Sequence, residues 1–131
     1  MSDISSLYSK KVMEHFARPH NMGKIKNPSG RGRVGNPVCG DLMELQIKVV
    51  KKKNQEYIED AKFQTFGCGA AIATSSILTD LIKGKTIEEA EKISNRAIIE
   101  SLGGLPPVKH HCSVLAEEAL QKALEDYRKK I

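Results

Sequence analysis

Between Met43 and Val49 apolar and polar side chains alternate without a break: Met43, Leu45, Ile47 and Val49 are separated by Glu44, Gln46 and Lys48. A period of two is the signature of a half-buried strand. Tyr57 to Phe66 predicts a second strand, and the polar run Lys51-Lys52-Lys53-Asn54-Gln55 between the two predicts an antiparallel hairpin with its lysines in a solvated connection. Upstream, Tyr8, Val12, Met13 and Phe16 fall at helical spacing and predict an amphipathic helix from Ser6 to Ala17. Pro19 stops it, because proline disfavours helix in the residue before it. From there to Asn36 the chain is rich in Gly, Pro, Asn and basic residues and reads as a mobile loop.

Past Gly69 the period changes from two to that of a helix. Ala70 to Lys83 carries Ala71, Ile72, Ala73, Ile77, Leu78, Leu81 and Ile82, an apolar band broad enough for a well-buried helix closed by Gly84. Thr86-Ile87-Glu88-Glu89 is a capping-box sequence opening a short helix to about Ile93. Asn95 is placed to cap another helix running to Leu102, with Gly103-Gly104 as its stop. Ala116, Ala119, Leu120, Ala123, Leu124 and Tyr127 mark a long C-terminal amphipathic helix. No repeat or composition break divides the chain, and 131 residues suit one domain, residues 1–131.

Charge and composition narrow the function classes. Residues 1–40 hold seven Lys and Arg against Asp3 and Glu14, and the remainder carries fourteen of each sign, so the net +5 resides in the first 40 positions. Such a segment fits an acidic protein surface; no arginine–aromatic interleaving or binding motif points to nucleic acid. No run approaches the ~18 apolar residues of a membrane helix, and the opening residues lack a signal peptide's basic start and apolar stretch. A cytoplasmic location is expected, with thiols reduced. The odd count of three cysteines, none closely paired, also argues against a disulfide framework.

The three cysteines carry the chemistry. Cys39 sits in Gly35-Asn36-Pro37-Val38-Cys39-Gly40-Asp41, Cys68 in Phe66-Gly67-Cys68-Gly69-Ala70, and Cys112 in His110-His111-Cys112-Ser113. A lone cysteine is most often a small buried hydrophobe, but glycines beside Cys39 and Cys68 free the backbone for a bulky ligand. Cys68 also falls where strand gives way to helix, so a thiolate there gains from the helix N-terminus. Cys112 is expected near a helix start after Pro106-Pro107. Three thiolates leave one place open in a four-coordinate centre, for which Asp41 or His111 can compete; His20 and His110 read as exposed. Tetrahedral zinc accepts such a set, and so does an iron–sulfur cluster. Closed structural zinc sites favour Cys-x-x-Cys pairs, which are absent here. The residues alone thus indicate a labile metal or cluster site on a small α+β domain.

At these motifs the chain resembles the iron–sulfur cluster scaffold family of IscU and the N-terminal domain of NifU. The resemblance runs from Tyr8-Ser9-Lys10-Lys11-Val12 to Tyr127. It is carried by Cys39-Gly40-Asp41, by Phe63-Gln64-Thr65-Phe66-Gly67-Cys68-Gly69-Ala70-Ala71-Ile72-Ala73, and by Leu105-Pro106-Pro107-Val108-Lys109 with His111-Cys112-Ser113. It implies an α+β fold, a small antiparallel three-stranded sheet packed by about five helices, with the third strand around Gly32 to Val34. It also implies a scaffold, not an enzyme, on which a [2Fe–2S] cluster is assembled and passed to apo acceptor proteins. Sulfur would come from a cysteine desulfurase as persulfide and electrons from a ferredoxin-type donor. A homodimer sharing the cluster is compatible with this.

By the same resemblance Cys39, Cys68 and Cys112 correspond to the cluster ligands, Asp41 to the aspartate that keeps the cluster labile, and His111 to the alternative fourth ligand. Cys112 also matches the persulfide acceptor, and Leu105, Pro106, Pro107, Val108 and Lys109 match the segment gripped by specialised Hsp70/J-type chaperones. The two prolines favour an extended conformation suited to a groove. His110 departs from the more usual apolar residue, and Gly103-Gly104 should loosen the loop before Leu105. Zinc is expected as a substitute in cluster-free protein. Two further readings are a zinc-bound sulfurtransferase of SufU type and a structural zinc module. The long insertion of SufU relatives, and the further cluster domains of full NifU, are not expected here.

Overall fold

A computed structural model describes residues 8–36, 41–67 and 69–130, with the backbone alone for Asn36 and Asp41. In chain order the elements are helix α1 (Lys10–Ala17), strands β1 (Gly30–Asn36), β2 (Asp41–Lys52) and β3 (Gln55–Thr65), then helices α2 (Gly69–Ile82), α3 (Ile87–Glu91) and α4 (Asn95–Ser101). A 3₁₀ turn at Pro107–Lys109 then leads into α5 (His110–Lys130). The sheet is antiparallel in the order β1-β2-β3. This is the expected three-stranded α+β architecture.

The alternation of β2 sets the buried face. Met43, Leu45 and Ile47 are all buried, and the register places Val34, Gly32 and Gly30 of β1 opposite them on one side. On the other side Leu45 and Ile47 face Phe63 and Ala61 of β3. A bulge follows, pairing Lys48 with Asp60 but Val49 with Ile58. The extra residue, Glu59, is thereby skipped, and Ile58 turns inward to full burial. The hairpin is tighter than the lysine run predicts. Lys52 pairs with Gln55, and Lys53 and Asn54 both take positive φ, 51° and 65°, as a two-residue primed turn requires.

Two helices cover this face. α5 lies on β1 through Ala116, Ala119, Leu120, Ala123 and Tyr127, and α2 fills the space beside it with Ala70, Ala71, Ala73, Ile77, Leu78 and Ile82. Buried Ser75, Ser76 and Thr79 lie among the apolar residues of α2; Ser75 and Thr79 hydroxyls donate to Ala71 O (2.8 Å) and Ser76 O (2.6 Å). α1 packs on α2, its N-terminus capped by Ser9, which also donates to Leu102 O.

Two local expectations change. The segment 18–36 holds β1, and its first part is tied down: Phe63 N–H donates to Asn21 O (3.0 Å), Gly23 N–H to Phe63 O (2.8 Å) and Ser29 N–H to Ile47 O (2.8 Å). Ser94 caps α4 in place of Asn95, whose side chain instead reaches Glu117 at 2.8 Å. Gly103 and Gly104, with φ of 76° and 105°, form the expected left-handed stop of α4, their N–H groups satisfying Glu100 O and Ile99 O. The capping box of α3 forms as read: Glu89 N–H donates to Thr86 Oγ1 and Thr86 N–H to Glu89 Oε1. Among the described residues no helix is long and apolar enough to cross a membrane.

Candidate metal and cluster site

Two glycines decide where the first and third cysteine segments meet. A Cβ on Gly32 would overlap Ala119 O and come within 2.5 Å of Ala123 N; one on Gly30 would meet Tyr127 Cβ at 3.0 Å. α5 therefore lies directly on the β1 backbone, running opposite to it. From Gly32 to Asn36 is about 13 Å of strand. The same distance along α5 is about nine residues, leading back from Ala119–Ala123 to the helix start. Asn36 pairs with Asp41, so the beginning of β2 comes to the level of His111 and Cys112.

The second segment reaches the same end. Phe66 N–H and Thr65 Oγ1 both donate to Leu42 O, at 3.0 and 2.6 Å, holding the end of β3 beside the start of β2. Gly69 then opens α2, and Thr74, five residues on, points its hydroxyl at Ala71 O (3.1 Å) and Cys112 O (3.4 Å). Chain neighbours of all three cysteines thus gather at one end of the sheet. Cys39 and Cys68 themselves lie outside the described residues, as does the Asp41 side chain.

The third segment is described in full. Cys112 is buried in the first turn of α5, and His111 beside it is exposed. His111 Nδ1 lies 3.1 Å from Val108 O. A carbonyl only accepts, so Nδ1–H donates to it and Nε2 is the ring nitrogen turned toward Cys112. That Nε2 is 3.6 Å from Cys112 Sγ. In a tetrahedral centre with metal–sulfur and metal–nitrogen bonds of about 2.3 and 2.05 Å, the S···N edge is about 3.6 Å. The separation, that of a thiol–imidazole hydrogen bond, also matches one edge of such a site.

His110, read as exposed, is so, yet it has a structural task that its residue type alone did not reveal. Its Nε2–H donates to Leu105 O (2.9 Å), while its own carbonyl accepts from Ser113 Oγ (2.6 Å). These bonds lash the Leu105–Lys109 segment to the helix start. Leu105 is buried, Val108 is 75% exposed, and only Pro106 keeps the extended backbone (φ −56°, ψ 139°) expected for the pair of prolines.

Elsewhere, His20 is bound to Asp80 at 2.6 Å, and buried His15 to Ser76 at 2.7 Å. Burial, followed by the neighbouring His20, pushes the His15 imidazole below its ordinary value. Neither contact was legible from spacing, since the partners are about 60 residues apart. Lys24, Arg31 and Arg33 line an open groove with Glu44, Gln64 and Phe66, where much of the N-terminal charge excess collects.

Residues 7–131 match the family described as NifU-like N terminal domain. The chain is 60% identical over 124 residues to the iron-sulfur cluster assembly scaffold protein IscU 1 of Archaeoglobus fulgidus, covering 95% of this chain and 78% of that protein. It is 51% identical over 126 residues to the IscU scaffold protein of Escherichia coli, covering 94% and 95%. The crystal structure of a nitrogen-fixing NifU-like protein (N-terminal) from Brucella abortus superposes with a TM-score of 0.70 at 17% identity, over 98% of this chain and 99% of that one, which shows the common fold. With the fold, the gathered cysteine segments and these matches together, the chain belongs to the NifU-like N-terminal domain family.

Proposed function

We propose that this protein is a scaffold on which a [2Fe–2S] cluster is built and from which it is handed to apo acceptor proteins. The observation that carries the reading is the Cys112–His111 pair, a sulfur and an imidazole nitrogen at the edge length of a tetrahedral metal centre. The names of the scaffold relatives support the same reading.

In this reading the cluster is cargo. Cys39, Cys68 and Cys112 supply thiolates, and Asp41 and His111 share the remaining place. A carboxylate is a harder ligand than thiolate and holds a soft iron–sulfide centre less firmly, so Asp41 favours release. Cys112 takes sulfur from a cysteine desulfurase as persulfide. Because Cys112 is buried, delivery requires the Leu105–Lys109 segment or its neighbours to open. A ferredoxin-type donor supplies electrons, and its acidic surface fits the groove of Lys24, Arg31 and Arg33. A J-type/Hsp70 pair would take hold at exposed Pro107-Val108 and draw out buried Leu105. Two protomers sharing the cluster, and zinc occupying the ligands when no cluster is present, are part of the same proposal.

The test is anaerobic reconstitution with a cysteine desulfurase, cysteine, Fe²⁺ and a dithiol reductant that takes persulfide sulfur to sulfide, followed by visible absorption. The intact chain should develop sulfide-to-iron charge-transfer bands, and Cys68→Ser should not. Normal bands in Cys68→Ser would sink the ligand assignment.

A further inference from the structure

His15, His20 and Asp80 stand apart from the cysteine segments. His15 lies on α1, His20 in the turn after it, and Asp80 eleven residues into α2, about 16 Å along the helix from Gly69. Each offers a ligating atom within 4.8 Å of the other two. The imidazole rings lie 4.5 Å apart, tilted by 48°. We propose that these three side chains form a second metal site, for a zinc-class divalent ion, separate from the cysteine ligands.

The chemistry of the donors selects the ion. Two imidazoles and one carboxylate suit Zn²⁺ and its first-row neighbours, whereas Ca²⁺ and Mg²⁺ prefer all-oxygen shells. Three protein ligands leave a fourth position for water. Zinc–ligand bonds of about 2.0–2.2 Å set ligand atoms about 3.4 Å apart, so an ion would displace the proton of the 2.6 Å His20–Asp80 hydrogen bond and spread that pair, while the wider sides close.

The surroundings hold the ligands in place, as outer partners of metal ligands do. Ser76 Oγ lies 2.7 Å from His15 Nδ1 and accepts the His20 backbone N–H at 2.8 Å. Asn21 Nδ2 donates to Asp80 Oδ1 and to Thr79 Oγ1, both at 3.0 Å, while Lys83 Nζ donates to Asn21 Oδ1 at 3.1 Å. His15 is 3% exposed, but the His20 and Asp80 side chains are 42% and 36% exposed. The site has a fixed inner wall and an open mouth. A bound ion would pin α1 and its turn to α2.

The proposal does not depend on the cysteine site, and its test removes that site. In the full chain carrying Cys39→Ser, Cys68→Ser and Cys112→Ala, titration with Co²⁺ should show about one equivalent bound with a Kd on the order of micromolar. Only weak d–d bands should appear, without thiolate charge transfer. His20→Gln and Asp80→Asn, both at exposed positions, should each weaken binding at least tenfold, and Zn²⁺ should raise the melting midpoint by several degrees only where both residues are intact. Absence of saturable binding below about 100 μM, or binding unchanged in both variants, overturns the site. Should the thiol-free chain fail to fold, zinc on the intact chain decides: one equivalent fewer in His20→Gln supports it, and an unchanged count overturns it.

Discussion

Gly32→Ala is the most informative small change in this fold, because one methyl group tests how α5 is held against β1. The added Cβ would overlap Ala119 O and stand 2.5 Å from Ala123 N, and Cβ contacts below 3.0 Å essentially never occur. Both obstacles are backbone, so no side chain can swing aside; with Ala119 O at 2.1 Å the helix must retreat by about 0.9 Å. A gap of that size forfeits a quarter to a half of each dispersion contact across the seam. The seam includes buried Val34, Leu120, Leu124 and Tyr127. Overpacking of this kind costs about 1–3 kcal/mol, and with two backbone atoms in the way the upper end applies. Alanine returns roughly 0.4–1 kcal/mol by restricting the unfolded chain, leaving a net loss of about 2 kcal/mol. At roughly 3–5 °C per kcal/mol for a domain this size, the melting midpoint should fall by about 6–10 °C. Thermal unfolding followed by circular dichroism measures the midpoint, and urea unfolding the free-energy loss. Gly84→Ala is the control: that site has φ +85° and no atom within 4 Å of a Cβ, so backbone strain alone acts, costing about 1–2 kcal/mol. A Gly32→Ala protein as stable as the parent would refute the direct β1–α5 contact.

Three other outcomes follow from named residues. Asp41→Ala should give a longer-lived, less transferable cluster; equal or faster transfer to an apo-ferredoxin counts against the role of the carboxylate. Thr86→Ala removes one bond of the capping box and should cost about 1 kcal/mol, read from the same urea curves; no loss would show that α3 is held by packing alone. His15 is faced by His20, Asp80, Glu14 and Lys11, and its folded-state pKa is lowered, chiefly by burial. Its contribution is therefore complete above the unfolded value near 6.5 and is lost as pH falls through the lower folded value. Chelator-treated protein should lose stability between pH 7.5 and 5.5, and His15→Gln should flatten that slope; an unaltered slope refutes it.

The sheet was legible where one face is buried and the other solvated. Met43, Leu45 and Ile47 announced β2, and the Ala70–Ile82 band announced α2. β1 was legible only through the family resemblance, around Gly32 to Val34, because Gly30-Arg31-Gly32-Arg33 has the composition of a loop. Its glycines mark the helix crossing overhead, a contact with Ala119, Ala123 and Tyr127 far along the chain. Ser94 displaced Asn95 as cap because either residue can serve, and the Asn95 amide finds Glu117 instead. At the site, the cysteines and His111 stood out by their neighbours in sequence. What sequence could not supply was the ring orientation of His111, set by Val108 O, or the strap that His110 makes to Leu105 O. Both are short-range in the fold but depend on the 3₁₀ turn. The His15–His20–Asp80 group was hidden for the opposite reason: its members come from α1, the turn after it and α2, about 60 residues further along the chain.

The central claim is that the gathered cysteine segments carry a cluster as cargo. Anaerobic purification of the intact chain, followed by iron, acid-labile sulfide and zinc analysis, tests it most directly. Iron and sulfide in equal amounts, lost from Cys68→Ser, is the predicted result; a chain that holds tight zinc, takes up no iron or sulfide and stimulates a desulfurase would contradict it.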